Sequence, residues 1–375
     1  MGEFILVTLA LLTLSTVAYV LRAYVRLRTF AAHAHDSSMV STSISTEDGW
    51  HIQVDRYPRS GVPVLLCHGI ASHGQNLDLA PECSLARTLA SYGHDVWLIN
   101  LRGCADSRAP SPSVSGVCLD DFITYDAPAV LEHITRMSCH PKVHWVGFSM
   151  GGIVGCGVLG GAHGHALKSL TLIGAPLRAS SSPLIGPLKR LGLACFRWRG
   201  AVPLRALSRL GAHLPRWLVS PSLRLVSNPK NCDWDLMRSL LNRTVEDIPI
   251  ALLEQMNTWH TYEHKHASSL EGDIDYVTRL TSAPRVPLLA ICGTGDKLGP
   301  LRASEPALRH HQGPCEVHVI GRGAKEELER WAPLGATKIA HDTHEHWSHV
   351  DLLIAESAPN EVYKPISNFL QRHSQ

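Results

Sequence analysis

Short apolar runs bounded by turn residues recur along the chain: VPVLLCH at 62–68, HDVWLIN at 94–100, KVHWVGF at 142–148, KSLTLIG at 168–174, VPLLAICG at 286–293 and CEVHVIG at 315–321. Runs of this length without polar alternation mark strands covered on both faces, as in parallel sheets. Between several of them lie stretches with helical spacing, such as SLARTLASYG at 84–93 and DAPAVLEHITRM at 126–137. Strands alternating with helices predict an α/β fold built on a doubly wound, mostly parallel sheet.

The rhythm breaks once. Residues 178–280 separate the fourth run from the fifth. Their pattern is helical with no clear strand, which predicts a helical cap inserted between two parts of the core, 45–177 and 281–375. Within 176–231 there are ten Lys and Arg residues and no Asp or Glu, with Leu, Trp and Phe interleaved. Two readings stand side by side. Basic amphipathic helices rest on anionic lipid surfaces; the same composition also suits a solvated basic face on ordinary helices.

The first residues form a separate object. Phe4 to Leu21 carries no charge. As a helix it spans about 27 Å, enough for a bilayer core. Only Glu3 precedes it, so the basic n-region of a signal peptide is missing. Thr16-Val17-Ala18 does resemble a cleavage site. Arg22, Arg26 and Arg28 lie downstream, and the positive-inside rule puts the bulk of the chain in the cytoplasm. Residues 1–28 therefore read as a transmembrane anchor with a basic flank, and 29–44 as a linker. MGEFIL lacks the Ser or Thr of a myristoylation signal.

Composition narrows the function classes. With 45% hydrophobic and 18% charged residues among 375, the chain suits a packed globular protein. A net charge of +2 speaks against a general nucleic-acid binder. The ten cysteines form no C-x-x-C pair and no zinc-ribbon spacing, so they read as free thiols, and no metal or cofactor is called for. The sequon Asn242-Arg243-Thr244 in the cap matters only on a lumenal protein.

The chemistry centres on KVHWVGFSMGG, which contains Gly147-Phe148-Ser149-Met150-Gly151. A G-x-S-x-G pattern alone is short. Here an apolar strand precedes it and a small-residue helix follows, the strand–turn–helix setting that exposes a nucleophilic serine. The flanking glycines let strand and helix approach closely. The hydroxyl then projects at the carboxyl end of the sheet, where ligands bind in open α/β folds. An oxyanion hole needs two N–H donors. Met150, after the nucleophile, is one candidate; Ile70, in the loop CHGIASHGQN after the first run, is the other. His68 in that loop reads as a loop-shaping residue bonded locally. Chain order predicts nucleophile, acid, histidine, and Asp296 in GTGDK follows the run 286–293. Turns also favour Asp for their own reasons.

The histidine lies in HDTHEHWSHVDLL. His341, His344, His346 and His349 fall within nine residues. A metal site is one reading, but HEHWSH departs from the H-E-x-x-H spacing that sets two ligands on one helical face. A single base on the loop before the last helical segments is the other. His349 fits that position and His346 is its rival.

Together these segments resemble serine hydrolases of the α/β-hydrolase superfamily. The resemblance rests on HGI at 68–70, GFSMGG at 147–152, GTGD at 293–296 and SHVDLL at 348–353, in the family's order. NLDLAPECSLARTLASYGHDVWLINLRG, YDAPAVLEHI and APNEVYKPISNFL are similar to a lipase-like and polyhydroxyalkanoate-synthase-like branch. Synthases of that branch carry a cysteine in place of Ser149, and dehalogenases and epoxide hydrolases an Asp, so the serine favours ester hydrolysis. The resemblance implies an acyl-enzyme on Ser149, with His349 as base, Asp296 orienting it, and Ile70 and Met150 N–H groups holding the oxyanion. The family pattern pairs the histidine with an Asp two residues on; Asp351 matches and reads as a start-of-helix residue. The chain is expected to be a membrane-anchored esterase or lipase acting on a lipid or other long-acyl ester. An acyltransferase or thioesterase would use the same triad. A non-catalytic membrane scaffold is the alternative outside enzymology.

Overall fold

The computed structural model describes residues 38–374 apart from 111–113, 115, 179–184 and 260–265. Nine strands form one sheet: β1 (Val40–Ser45), β2 (His51–Tyr57), β3 (Pro63–Cys67), β4 (Asp95–Asn100), β5 (Val143–Phe148), β6 (Leu167–Ile173), β7 (Leu288–Gly293), β8 (Cys315–Ile320) and β9 (Thr337–His341). Their order is β1-β2-β4-β3-β5-β6-β7-β8-β9. From β4 to β9 every pair is parallel; β1 and β2 join antiparallel at one edge. The six apolar runs are six adjacent strands. Val40–Ser45, at the end of the segment read as a linker, is the edge strand β1.

The helices in chain order are α1 (Leu85–Ser91), α2 (Ala127–Ser138), α3 (Met150–Leu159), α4 (Ile185–Phe196), α5 (Leu204–His213), α6 (Arg216–Leu223), α7 (Trp234–Arg243), α8 (Ile250–Thr258), α9 (Leu301–His310), α10 (Ala324–Trp331), α11 (Asp351–Ile354) and α12 (Lys364–Arg372). Alternate residues of the strands feed two separate cores. Leu65, Trp97, Trp145 and Leu170 meet α2, α3 and α9 on one face. Val64, Leu66, Leu98 and Val146 meet α1 and α12 on the other. On α12 the buried residues Ile366, Phe369 and Leu370 follow helical spacing and make one apolar stripe. Ser84 caps α1 by accepting from the Arg87 N–H at 2.9 Å. Leu66 is fully buried, and truncating such a residue to alanine typically costs about 2–5 kcal/mol.

Helices α4 to α8 come from the segment between β6 and β7. A two-residue ribbon, Ala201–Val202 against Ile248–Pro249, joins the α4–α5 connection to the α7–α8 connection within it. The anchor expected at 4–21 lies outside the described residues. Among the described residues, no helix is long and apolar enough to cross a membrane.

Candidate active site

Ser149 stands between the last residue of β5 and the first of α3. Its backbone has φ 53° and ψ −117°. Positive φ in a residue with a side chain costs on the order of 1–3 kcal/mol and survives only where the surroundings enforce it. Here they do: the Ser149 N–H donates to Ile173 of β6 at 2.8 Å, and its carbonyl accepts from Gly152 at 2.9 Å. Gly151 completes the turn. A Cβ there would sit 2.2 Å from the carbonyl oxygen of Cys67, so only glycine lets the start of α3 meet the end of β3. That contact brings Met150 beside the 68–70 loop. Met150 opens α3, so its N–H belongs to the first turn, whose donors have no partner within a helix.

The 68–70 loop is set by His68, which is fully buried. Its Nε2 accepts from the Leu101 N–H at 3.1 Å, so Nδ1 carries the proton and donates to the Gly69 carbonyl at 2.8 Å. Burial holds this imidazole neutral, its pKa pushed down to about 3. The Ser72 hydroxyl donates to the same carbonyl at 3.1 Å. The Ile70 N–H finds no acceptor among the described residues.

Asp296 follows β7 and His349 precedes α11, 53 residues apart in sequence. The structure brings them together: Asp296 Oδ2 accepts from His349 Nδ1 at 2.8 Å. Oδ1 accepts from the N–H groups of Leu298 and Gly299, both at 2.8 Å. An acceptor at Nδ1 fixes the tautomer, leaving the Nε2 lone pair free. The imidazole lies against the Phe148 ring, 4.8 Å between centroids, next to Ser149. Gly174 (φ 56°) makes room for the pair. A Cβ on it would stand 3.0 Å from Asp296 Oδ2 and 3.2 Å from His349 Nδ1. Ser149, Asp296 and His349 are each at most 5% exposed.

The rival histidine goes elsewhere. His346 is exposed, and its ring nitrogens meet Thr294 Oγ1 at 3.0 Å and Arg322 Nε at 3.3 Å. His341 bridges Glu361 and His318, each at 3.0 Å, and His344 is exposed. Among the described residues no group of three or more His, Cys, Asp or Glu side chains is arranged to hold a metal.

Asp351 is more than the start of a helix. It is fully buried. Its carboxylate accepts from Ser348 N–H at 2.8 Å, Ser227 Oγ at 2.8 Å, Asn228 N–H at 3.1 Å and Asn231 Nδ2 at 2.9 Å. Residues 227–231 belong to the segment leading from α6 to α7, so this carboxylate fastens that segment to the loop of His349. The spacing from His349 hinted at a paired Asp; its long-range partners left no local trace.

A family model described as "alpha/beta hydrolase fold" matches residues 62–313. The chain belongs to the α/β hydrolase fold family. Similar proteins in this family include Lipase 1 of Drosophila melanogaster, 34% identical over 116 residues, 29% of this chain and 26% of that protein. Human gastric triacylglycerol lipase is 33% identical over 128 residues, 30% of this chain and 32% of that protein. The chain thus spans about a third or less of the length of these relatives. Among solved α/β structures, an esterase from Thermogutta terrifontis superposes with a TM-score of 0.56 at 16% identity, over 90% of this chain and all of that one. A bacterial membrane phospholipase A superposes with a TM-score of 0.52 at 16% identity, over 100% of this chain and 99% of that one. At such identities the likeness is one of fold.

Proposed function

We propose that the protein is a serine carboxylic-ester hydrolase that acts through Ser149, His349 and Asp296. The observation that carries this reading is the His349–Asp296 hydrogen bond beside a serine on a strained strand–helix turn. In the first half-reaction Ser149 Oγ attacks the ester carbonyl carbon as its proton passes to His349 Nε2. Negative charge gathers on the carbonyl oxygen, which the N–H groups of Ile70 and Met150 stabilise. The tetrahedral intermediate collapses, the C–O bond to the alcohol breaks, and the alcohol leaves with the proton from His349. An acyl-enzyme remains. In the second half, water gives a proton to His349 Nε2 and attacks the acyl carbon. Its collapse returns the proton to Ser149 and releases the carboxylic acid. Asp296 keeps the imidazole in one tautomer and stabilises it while it is charged.

The substrates that fit are lipids or other long-acyl esters. The similar proteins include a triacylglycerol lipase, and the cap exposes large apolar groups. Trp198 is 84% exposed and Trp217 75%. They lie in the stretch of ten Lys and Arg residues that has no carboxylate. This mixture suits an anionic bilayer, where aromatic and basic side chains sit at the headgroup level. The uncharged run at 4–21 would anchor the chain to such a membrane with its basic flank on the cytoplasmic side. A screen of acyl esters and thioesters, with and without an added alcohol acceptor and with Ser149→Ala as control, tests the reading. Acid released from esters by the natural protein and not by the variant supports it. Acylated alcohol as the sole product would make the protein an acyltransferase instead.

A further inference from the structure

Backbone strain in this protein gathers around one buried carboxylate. Among the described residues, four that are not glycine hold a positive φ: Ala71 (55°), Ala105 (46°), Cys139 (56°) and Ser149 (53°). Side chains oppose this conformation, so it persists only where neighbours enforce it. For Ser149 the neighbour is β6. For both alanines it is Glu246, a residue 4% exposed between α7 and α8. Its N–H donates to the Ala71 carbonyl at 2.9 Å. Its Oε1 accepts from the Ala105 N–H at 3.2 Å.

Glu246 Oε2 accepts from Arg205 Nη2 on α5, so both carboxylate oxygens are committed. The chain around Glu246 runs beside the loop that follows β3. His73 Nε2 donates to the Arg243 carbonyl at 2.9 Å, and Ser72 bridges to Val245. Ala71 is the residue after Ile70, whose N–H is the second oxyanion donor in the proposed reaction. The loop reaches the nucleophile: a Cβ on Gly69 would stand 3.1 Å from the Ser149 Cβ. With Ser72 bridged to Val245, a change of φ at Ala71 swings Ile70 and its N–H rather than the loop beyond.

We propose that Glu246 is a positioning residue for the oxyanion hole. Its carboxylate fixes residues 243–246 between Arg205 and the loop of Ala105. Its N–H then holds Ala71 in the left-handed conformation that presents the Ile70 N–H to the ester carbonyl. The inference rests on the ester-hydrolase reading. Full negative charge on the carbonyl oxygen exists only in the tetrahedral species, so a misplaced donor lowers kcat and leaves KM nearly unchanged.

The test compares the full chain with Glu246→Ala, Ala71→Gly and the double variant on one ester, with rates normalised by fluorophosphonate titration of active serine. Glu246→Ala should lower kcat about tenfold or more, with KM within about twofold. The Ki of a trifluoromethyl ketone, which forms an oxyanion adduct on the serine, should rise by the same factor. Glycine takes a positive φ without steric cost, so Ala71→Gly should return at least about threefold of kcat in the Glu246→Ala protein. A general loss of packing would not be recovered that way. If Glu246→Ala fails to fold, Glu246→Gln with and without Ala71→Gly carries the same comparison. It keeps an acceptor for Ala105, loses the charge facing Arg205, and should lose about threefold in kcat, most of it recovered by Ala71→Gly. Unchanged kcat and Ki, or a loss that Ala71→Gly does not restore, overturns the role of Glu246 and leaves the hydrolase reading standing. No ester hydrolysis by the natural protein, or full hydrolysis by Ser149→Ala, overturns both.

Discussion

The N–H of Val350 donates to the carbonyl of Val226 at 2.8 Å, which joins the residue after His349 to the cap. Asp351 reinforces the joint by accepting from Ser227, Asn228 and Asn231 on the cap side and from Ser348 on the other. Asn228 and Asn231 also donate through their side-chain amides to the His346 carbonyl, both at 2.9 Å. The loop that carries His349 is thus held by residues 226–231 of the segment between β6 and β7.

Breaking this clasp should harm both stability and rate. Asp351→Ala leaves several buried donors without an acceptor, a change expected to destabilise by about 3 kcal/mol or more. Urea denaturation checks that figure. Asp351→Asn retains one acceptor oxygen and should lose less. In both variants kcat should fall more than KM changes, because the imidazole is displaced rather than the substrate site. A fall confined to KM would contradict a role in positioning His349.

The two histidines separate cleanly by substitution. His349→Ala should lower kcat by a factor of about 10³ or more, in line with the loss of a triad base. His346→Ala removes contacts to Thr294 and Arg322 only and should stay within about threefold of the natural rate. Steady-state kinetics on one ester settles the assignment. The reverse pattern would move the base to His346.

Stability should fall on acidification. Burial pushes the His68 and His144 pKa values down from the usual 6.5 to about 3, and His73, His94 and His311 move in the same direction. Unfolding frees these rings to bind protons, so stability is full above about pH 6.5 and is lost as pH drops toward 3. From about pH 7.5 to about pH 5 each ring held near 3 contributes a loss of about 2 kcal/mol. Asp126 opposes this. Burial raises its pKa to about 6, outweighing the nearby Arg102, which favours stability at the acid end. Thermal melts at the two pH values should show a lower Tm at pH 5, and His144→Gln should narrow the difference. Equal Tm values would contradict the account.

The proposed docking of the basic stretch on anionic lipid should follow charge. Arg209 and Arg224 are exposed on the basic stretch. Neutralising each to Gln should raise the apparent KM about fivefold on ester substrate in anionic vesicles. On zwitterionic vesicles the change should be small, and added salt should erase the difference between the two vesicle types. An equal KM change on both would place the effect outside electrostatic docking.

The strands legible in the sequence are those buried on both faces. Leu288–Gly293 is buried at every position and appears as an unbroken apolar run. Edge strands escaped that test. Thr337–His341 has no buried residue, and Val40–Ser45 buries only Ile44. The serine was legible because a tight strand–helix turn imposes glycines at fixed local spacing. Chain order singled out Asp296 and His349, and the structure joins the two by a hydrogen bond. Asp351 and Gly174 were not, because their roles come from contacts with distant segments, the cap for one and the Asp296–His349 pair for the other.

Labelling by a fluorophosphonate probe, read by mass spectrometry of the Ser149 peptide, tests the central claim most directly. The account predicts stoichiometric modification of Ser149 in the natural protein, none in Ser149→Ala, and modification slowed by about 10³ or more in His349→Ala. Labelling that persists undiminished in Ser149→Ala would contradict it.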